Sequence, residues 1–134
     1  MELSKIYSDE EILNTNPLLL AFVGDAVFTL YAREKITSVH QTNVSSLSKM
    51  ASGVVNAGNQ YKMFRKIEPE LTDFEKDVAH RARNANIHSK AKNYSVTEYI
   101  YATAFEAIIG YLYLTNKKER LEQILKLSWE NVWN

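Results

Sequence analysis

Helical periodicity is the feature that most constrains the fold of this chain. Apolar side chains recur with a helical period almost throughout the 134 residues, and only four glycines and two prolines interrupt the pattern. No segment gives a convincing strand, and no internal repeat or low-complexity segment is found. The sequence therefore predicts an all-α domain of six or seven helices with short connections.

Three capping boxes mark where helices begin. In this motif a Ser or Thr side chain bonds the backbone three residues on, and a Glu at that position bonds back. The first box predicts a short helix through Leu13, and the second predicts a helix that runs to about Asn84. The pairs are Ser8 with Glu11, Thr72 with Glu75, and Ser95 with Glu98.

The most apolar stretch of the chain runs from Asn16 to Ile36. Asn16 and Pro17 indicate an N-cap followed by a proline at the first helical position. The helix that follows is apolar around nearly its whole circumference, so we expect it to be largely buried.

Three further segments complete the predicted secondary structure. Residues 43–67 indicate either one bent helix or two short helices, with Gly53 and Gly58 weakening the middle. Residues 85–94 lack apolar periodicity and are expected to form an exposed loop. A last helix is expected over about 117–133.

Composition excludes several classes of protein. The chain has no cysteine, which rules out a disulfide framework and a thiolate metal site. The first residues are acidic and lack the apolar segment of a signal peptide. No run of about 18 uninterrupted apolar residues suggests a membrane span. The expected setting is the cytoplasm.

Charge is segregated along the chain although it cancels overall. Sixteen basic and sixteen acidic residues argue against a polycation that coats nucleic acid. Residues 35–67 and 78–97 contain no carboxylate, whereas five acids fall within 68–77. Such segregation can build a basic face on a neutral protein, although a solvated helix surface gives the same pattern.

Two carboxylates lie inside apolar helices. Asp25 interrupts the stretch described above, and Glu106 is the only charged residue between Glu98 and Lys117. A buried carboxylate needs a raised pKa or a nearby cation. No lysine or arginine lies within one turn of Asp25 in its own helix. We therefore expect the partners of these acids to come from elsewhere in the fold.

Both acids have small neighbours one helical turn away, which would let two helices approach closely. Two acids that then face each other repel unless a proton or a cation lies between them. Oxygen ligands without cysteine or a histidine partner favour Mg²⁺ over Zn²⁺. In the alternative, each acid separately finds a distant arginine or caps the backbone. The neighbours are Ala21 and Thr29 for Asp25, and Ala102, Thr103 and Gly110 for Glu106.

Three motifs resemble parts of the ribonuclease III family. LLLAFVGDAVFTLY (18–31) resembles the signature helix, in which a Gly-Asp pair follows an apolar turn. TAFEAIIGYLYL (103–114) resembles a later helix whose glutamate is a metal ligand. RARNANIHSKAKN (81–93) resembles a segment of the Mini-ribonuclease III subfamily, whose members lack the double-stranded-RNA-binding domain. The resemblance covers about 17–122.

The resemblance implies a fold and an activity. The fold would be a single ribonuclease III-type helical endonuclease domain over 1–134, without a double-stranded-RNA-binding domain. The activity would be hydrolysis of phosphodiesters in double-stranded RNA, leaving 5′-phosphate and 3′-hydroxyl ends. Because one centre cuts one strand, the family acts as a two-fold homodimer. The signature helix would then face the core on one side and the partner subunit on the other; full burial within one chain is the alternative.

The resemblance also assigns roles to matching residues. Asp25 and Glu106 match family metal ligands, so both are implied to be catalytic and to hold Mg²⁺, which would activate a water. Two further carboxylates of the main family correspond here to Ala21 and Thr103, a departure that looks like the Mini-ribonuclease III pattern. This departure leaves the number of metal ions open, and Thr103 could hold a water in place of a ligand.

Basic residues around 81–93 are the candidates for binding RNA. A-form RNA is held mostly through its phosphates and 2′-hydroxyls, so cations and amides matter more than groups that read bases. A second, weaker group is Lys62, Arg65 and Lys66. The substrate-binding candidates are Arg81, Arg83, Asn84, Lys90 and Lys92.

The subfamily resemblance implies a particular RNA. The expected substrate is the base-paired stem of precursor 23S ribosomal RNA, whose ends would be matured, with a ribosomal protein as a candidate partner. Two other functions stay open: a non-catalytic helical RNA-binding or ribosome-assembly protein, and a metal-dependent helical hydrolase of small phosphate esters. The three histidines form neither an HxxxH nor an ExxH pair, which argues against a di-iron bundle.

Overall fold

The computed structural model describes residues 1–85 and 95–131. Within these residues it contains seven α-helices, one short 3-10 helix at Glu68–Glu70 and no strand. The all-α fold and the predicted number of helices are confirmed. The helices are α1 Asp9–Leu13, α2 Pro17–Val39, α3 Val44–Val54, α4 Ala57–Ile67, α5 Asp73–Ala85, α6 Val96–Leu114 and α7 Lys118–Trp129.

The predicted helix starts coincide with the observed N-caps. Ser8 and Ser95 each form a complete capping box. The hydroxyl of Thr72 accepts from the Glu75 N–H at 3.1 Å, and the Thr72 N–H donates to the Glu75 carboxylate at 2.9 Å. Asn16 caps α2 through its side-chain oxygen. These starts are encoded locally, in hydrogen bonds that span three residues or fewer.

Residues 43–67 form two helices. α3 ends at Val54, and the extended residue Asn56 then caps α4. The Asn56 side chain accepts from the Asn59 N–H at 2.9 Å and donates to the carbonyl of Gly53 at 3.3 Å. The break is therefore fixed by an asparagine that bonds in both directions, and not by the flexibility of glycine.

The last helix is shorter than predicted. α7 ends at Trp129, whereas the apolar pattern suggested about residue 133. Glu130 leaves the helical conformation with φ −57° and ψ 124°, and Asn131 has a positive φ of 62°. Asparagine in this conformation is a common helix terminator. The loop predicted over 85–94 lies outside the described residues, apart from Ala85 at the end of α5.

α6 forms the centre of the fold. Ten of its 19 residues are buried, because α2, α4 and α5 all pack against it. Phe28 of α2 meets Phe105 of α6 edge to face, with 5.1 Å between ring centroids. The apolar side chains of α6 are therefore mostly buried in the core of this chain.

α2 is apolar on two opposite faces, and only one of them is buried. On the open face Phe22 is 79% exposed and Leu30 is 65% exposed. Full burial of α2 within one chain, one of the two alternatives, is therefore wrong. No helix in residues 1–85 and 95–131 is long and apolar enough to cross a membrane. The face toward the core carries Leu20, Ala21, Gly24, Phe28, Ala32 and Ile36.

Candidate active site

α2 and α6 cross at two glycines. A Cβ on Gly24 would lie 2.7 Å from the carbonyl carbon of Glu106 and 2.8 Å from the backbone nitrogen of Gly110. A Cβ on Gly110 would lie 2.8 Å from the carbonyl carbon of Leu20. Cβ atoms do not come this close to backbone atoms, so glycine at both positions lets the helices touch. Asp25 and Glu106 both sit at this crossing.

The two carboxyl groups meet in an open depression of about 430 Å³ beside the crossing. Their side chains form a hydrogen bond with each other. The expectation that these two acids meet is confirmed. The expectation that both are buried is wrong for Asp25, which is exposed, while Glu106 is partly buried. The depression is also lined by Leu18, Ala21, Phe22, Tyr99 and Thr103.

The carboxyl of Glu106 has a strongly raised pKa. Burial raises it most, and the hydrogen bond to Asp25 and the charge of Asp25 raise it further, to about 9. A hydrogen bond with Gln60 acts in the opposite direction. This raised pKa favours the protonated form of the Glu106 carboxyl group at neutral pH.

Another buried acid, Glu75, shows how this fold treats a structural carboxylate. Arg120 donates to both oxygens of Glu75, at 2.8 and 2.9 Å. Burial alone would raise the pKa of Glu75, but the bonds from Arg120 and Thr72 lower it below its usual value. Within the part of the chain that the structure describes, no such ion pair reaches Asp25 or Glu106. A distant arginine as the partner of either acid is thus not what is observed.

The facing pair fits a hard divalent cation. Two carboxylates supply oxygen ligands, and a cation between them would remove their repulsion. The described residues hold no group of three or more His, Cys, Asp or Glu side chains suited to a metal. Mg²⁺ suits such a site because it usually keeps several of its own waters. Thr103 lines the depression and donates its hydroxyl to the Tyr99 carbonyl at 3.0 Å; that Thr103 holds a water stays a prediction.

Gln60 is a residue of the site that the sequence analysis missed. It lies on α4, is only 5% exposed and acts to lower the pKa of Glu106. The available signal was its position, because it shares the apolar face of α4 with Met63, Phe64 and Ile67. A glutamine on such a face needs a polar partner.

The substrate-binding candidates lie in different environments. The guanidinium of Arg81 donates to the carbonyls of Ile12 at 3.3 Å and Thr15 at 3.1 Å, and so ties α5 to the end of α1. Those bonds favour a structural role for Arg81. Lys90 and Lys92 lie outside the described residues.

Arg83 and Arg65, one from each group of basic candidates, converge on Tyr101. Arg83 donates to the Tyr101 hydroxyl at 3.0 Å, and its guanidinium carbon lies 5.1 Å from the ring centroid. The guanidinium of Arg65 lies 4.7 Å from the same centroid. Asn84 is exposed, and its amide contacts a ring nitrogen of His80 at 3.1 Å. Tyr101 therefore contacts two cations, of which Arg65 is also paired with Glu68 at 2.8 Å.

Comparison with known proteins identifies the family. Residues 18–117, which include both acids, match the family described as Ribonuclease III domain. The chain is 41% identical over 128 residues to Mini-ribonuclease 3 of Thermoanaerobacter sp. (strain X514), covering 96% of this chain and 90% of that protein. It is 40% identical over 126 residues to Mini-ribonuclease 3 of Clostridium tetani (strain Massachusetts / E88), covering 93% and 83%. A protein of Fusobacterium nucleatum solved by X-ray crystallography has a TM-score of 0.77 and 36% identity, covering 83% of this chain and 88% of that one. The chain therefore belongs to the ribonuclease III family, in its Mini-ribonuclease III subfamily.

Proposed function

We propose that this protein is a Mg²⁺-dependent endoribonuclease that cuts double-stranded RNA at the Asp25–Glu106 pair. Family membership gives the reaction class, since members of this family are endoribonucleases, and it decides against a non-catalytic RNA-binding protein or a hydrolase of small phosphate esters. One observation carries the location of the site. Two carboxyl groups from separate helices meet in an open depression, with no cationic partner among the described residues.

The two acids have different roles in this proposal. When bound, Mg²⁺ supplies a polarised water and neutralises charge on the scissile phosphate. Glu106 is partly buried, and its backbone lies at the helix crossing. Asp25 is exposed, so a phosphate can approach it from solvent. Glu106 must release its proton before it can act as a ligand.

Cleavage of long double-stranded RNA is expected to require Mg²⁺ and to depend steeply on pH. Because the pKa of Glu106 is about 9, protons compete with the cation at neutral pH. The apparent Mg²⁺ affinity should therefore rise about tenfold per pH unit between about pH 6 and pH 8, as one displaced proton requires. The measurement is the initial cleavage rate on denaturing gels over a range of Mg²⁺ concentrations. Cleavage in excess chelator, or a Mg²⁺ affinity independent of pH, would contradict the proposal.

The surface that faces RNA is proposed to extend over the end of α5 and the residues that follow. Arg83 has the best structural support, since Tyr101 holds its guanidinium in place. Asn84 is exposed beside it. Lys90 and Lys92 rest on the sequence alone, and Arg81 would contribute by anchoring α5.

The open face of α2 supports a two-fold homodimer. Its exposed apolar residues follow a helical spacing and form one stripe, which water solvates poorly. Phe22 belongs to the stripe and also lines the depression, so a partner subunit would lie beside the active site. Two centres in one dimer would let both strands of a duplex be cut. The stripe consists of Leu19, Phe22, Ala26 and Leu30.

Replacing Leu30 by glutamate is expected to dissociate this dimer. A two-fold axis places the new charge in the interface twice. A loss of about 2 kcal/mol or more of dimerisation free energy is typical of a central apolar contact and weakens dimerisation roughly 30-fold or more. Sedimentation equilibrium measures the shift, and cleavage products should change from double-strand breaks to slow nicks. Val44→Glu is the matched control, because Val44 is 80% exposed at the start of α3 and lies off the stripe. Equal effects of both substitutions would contradict an α2 interface.

The cellular substrate follows the subfamily resemblance. We propose that the protein acts in the cytoplasm on the base-paired stem of precursor 23S ribosomal RNA, where it matures the ends. A ribosomal protein that remodels this RNA is the candidate partner. The absence of cysteine is compatible with a reducing compartment.

A further inference from the structure

We infer that Tyr99 is a substrate-binding residue, whose phenol hydroxyl donates a hydrogen bond to a sugar–phosphate oxygen of the RNA strand that is cut. This inference rests on the proposed function, because it names a further contact between the same site and the same RNA. Tyr99 lies outside the three motifs that carry the family resemblance, which cover residues 18–31, 81–93 and 103–114.

Tyr99 is the one lining side chain of the depression, among the described residues, with a hydrogen-bond donor left for RNA. Three of the lining side chains come from α2 and are apolar. Asp25 and Glu106 hold the cation in the proposed mechanism, and a carboxylate only accepts hydrogen bonds. The hydroxyl of Thr103 already donates to the Tyr99 carbonyl at 3.0 Å. A duplex presents phosphate oxygens and 2′-hydroxyls, which need donors from the protein.

The hydroxyl of Tyr99 has no hydrogen-bond partner within residues 1–85 and 95–131. Two other tyrosines of α6 differ in this respect. The Tyr101 hydroxyl accepts from Arg83 at 3.0 Å, and the Tyr111 hydroxyl donates to Asp9 at 3.0 Å. A partly buried tyrosine usually finds such a partner for its polar end. The partner that Tyr99 lacks within the described chain is therefore supplied by a ligand of the depression.

The start of α6 holds Tyr99 in place. Ser95 forms a complete capping box with Glu98, and the Tyr99 N–H donates to the Ser95 carbonyl at 3.1 Å. The Tyr99 carbonyl accepts from Thr103 one turn further on. The residue is thus bonded on both sides and partly buried before RNA arrives. Less conformational freedom is then lost on binding, which favours the contact.

Spacing along α6 shows which part of the RNA the hydroxyl contacts. Tyr99, Thr103 and Glu106 share one face of the helix, since they are four and three residues apart. Tyr99 and Glu106 are separated by about 10 Å along the helix axis. Helical side chains also lean toward the N-terminus, so the phenol lies away from the two acids. The hydroxyl therefore contacts a nucleotide next to the scissile phosphate, and neither that phosphate nor the cation.

The test measures kcat/KM on an RNA duplex with one mapped cut site for the wild type, Tyr99→Phe and the control Tyr113→Phe. Phenylalanine keeps the ring and removes only the hydroxyl. Loss of one neutral hydrogen bond to the substrate should lower kcat/KM about 3–10-fold in Tyr99→Phe. Tyr113 is a partly buried tyrosine of the same helix, but it lines a separate depression with Met1 and Leu121. Tyr113→Phe should therefore cleave like the wild type.

Two measurements without RNA show that the effect is on substrate binding. The melting temperature should be the same in all three proteins, because the Tyr99 hydroxyl has no hydrogen bond within the described residues. Mn²⁺ prefers oxygen ligands as Mg²⁺ does, and electron paramagnetic resonance counts the free ions. The affinity for Mn²⁺ should also be the same in all three proteins, since the phenol does not contact the cation.

Duplexes with a single 2′-deoxynucleotide on either side of the cut identify the oxygen that Tyr99 contacts. If it is a 2′-hydroxyl, one such duplex should slow the wild type about 3–10-fold and slow Tyr99→Phe no further. If it is a phosphate oxygen, Tyr99→Phe should lose the same factor on every duplex. Either result supports the contact.

Three results would overturn the inference. The first is wild-type kcat/KM in Tyr99→Phe, and the second is an equal loss in Tyr113→Phe. The third is weaker Mn²⁺ binding in Tyr99→Phe, which would mean that the hydroxyl acts through the metal site. A wild-type protein that does not cleave duplex RNA would instead overturn the proposed function.

Discussion

Replacing Asp25 by asparagine is expected to lower the rate of double-stranded RNA cleavage by about 10³-fold or more. Asparagine keeps the shape of the side chain but removes the negative charge that would hold the cation beside Glu106. Charge stabilisation by a metal contributes several kcal/mol to such a transition state, and about 4 kcal/mol corresponds to this factor. Initial rates on a denaturing gel at saturating Mg²⁺ measure the loss.

Folding and RNA binding should survive this substitution. Asp25 is exposed and has no ion pair among the described residues, so the free energy of unfolding should change by less than about 0.5 kcal/mol. Circular dichroism and a gel-shift assay check both properties. Asp77→Asn is the matched control, since Asp77 is an exposed carboxylate of α5 that does not line the depression. An Asp25→Asn protein that cleaves like this control would refute the assignment of the site.

Replacing Gly24 by alanine is expected to destabilise the fold by about 1–3 kcal/mol or more, as overpacking of a tight core does. The added methyl group would overlap the backbone of Glu106 and Gly110, and backbone atoms cannot rotate away as a flexible side chain can. The helices must then separate at the position where the two acids meet. Both the midpoint of urea unfolding and the cleavage rate should therefore fall.

Gly53→Ala is the matched control, and its effect on the free energy of unfolding should have the opposite sign. A Cβ on Gly53 has no neighbour within 4 Å among the described residues, and Gly53 lies inside helix α3. Alanine is favoured over glycine in a helix by about 0.5–1 kcal/mol, so this variant should be slightly more stable than the wild type. If Gly24→Ala were as stable as Gly53→Ala, the close crossing of α2 and α6 would be wrong.

The starts of the helices could be predicted from the sequence because each depends on neighbouring residues. Ser8, Thr72 and Ser95 begin helices through bonds to residues three positions on. For residues 43–67 the sequence left two alternatives, one bent helix or two short helices. Only the structure shows that Asn56 fixes the break between α3 and α4, because that residue bonds both the preceding and the following helix.

The end of α7 illustrates where apolar periodicity is insufficient. The pattern of apolar residues continues toward residue 133, but a helix continues only while its backbone stays helical. Glu130 and Asn131 leave that conformation. Hydropathy carries no direct information on backbone dihedral angles, so it placed the end too late.

The exposure of Asp25 illustrates a different limit. An apolar helix surface is expected to be buried, but hydropathy does not tell whether the same chain or another molecule buries it. α2 carries one face of each kind, with Gly24 against α6 and Leu30 in solvent. Asp25 lies beside the open face, which is why it is exposed although its sequence neighbours are apolar.

The sequence by itself determined the helical class, the helix starts and, through two motifs, which two acids are the candidate metal ligands, since each of these depends on residues close together in the chain. Only the tertiary structure decided that the carboxyl groups of Asp25 and Glu106 meet in one depression, that Arg81 is engaged by backbone carbonyls and that Gln60 is buried. Contacts between residues far apart in sequence depend on how helices cross. That crossing is set by the fit of two backbones at Gly24 and Gly110, which neither periodicity nor composition records.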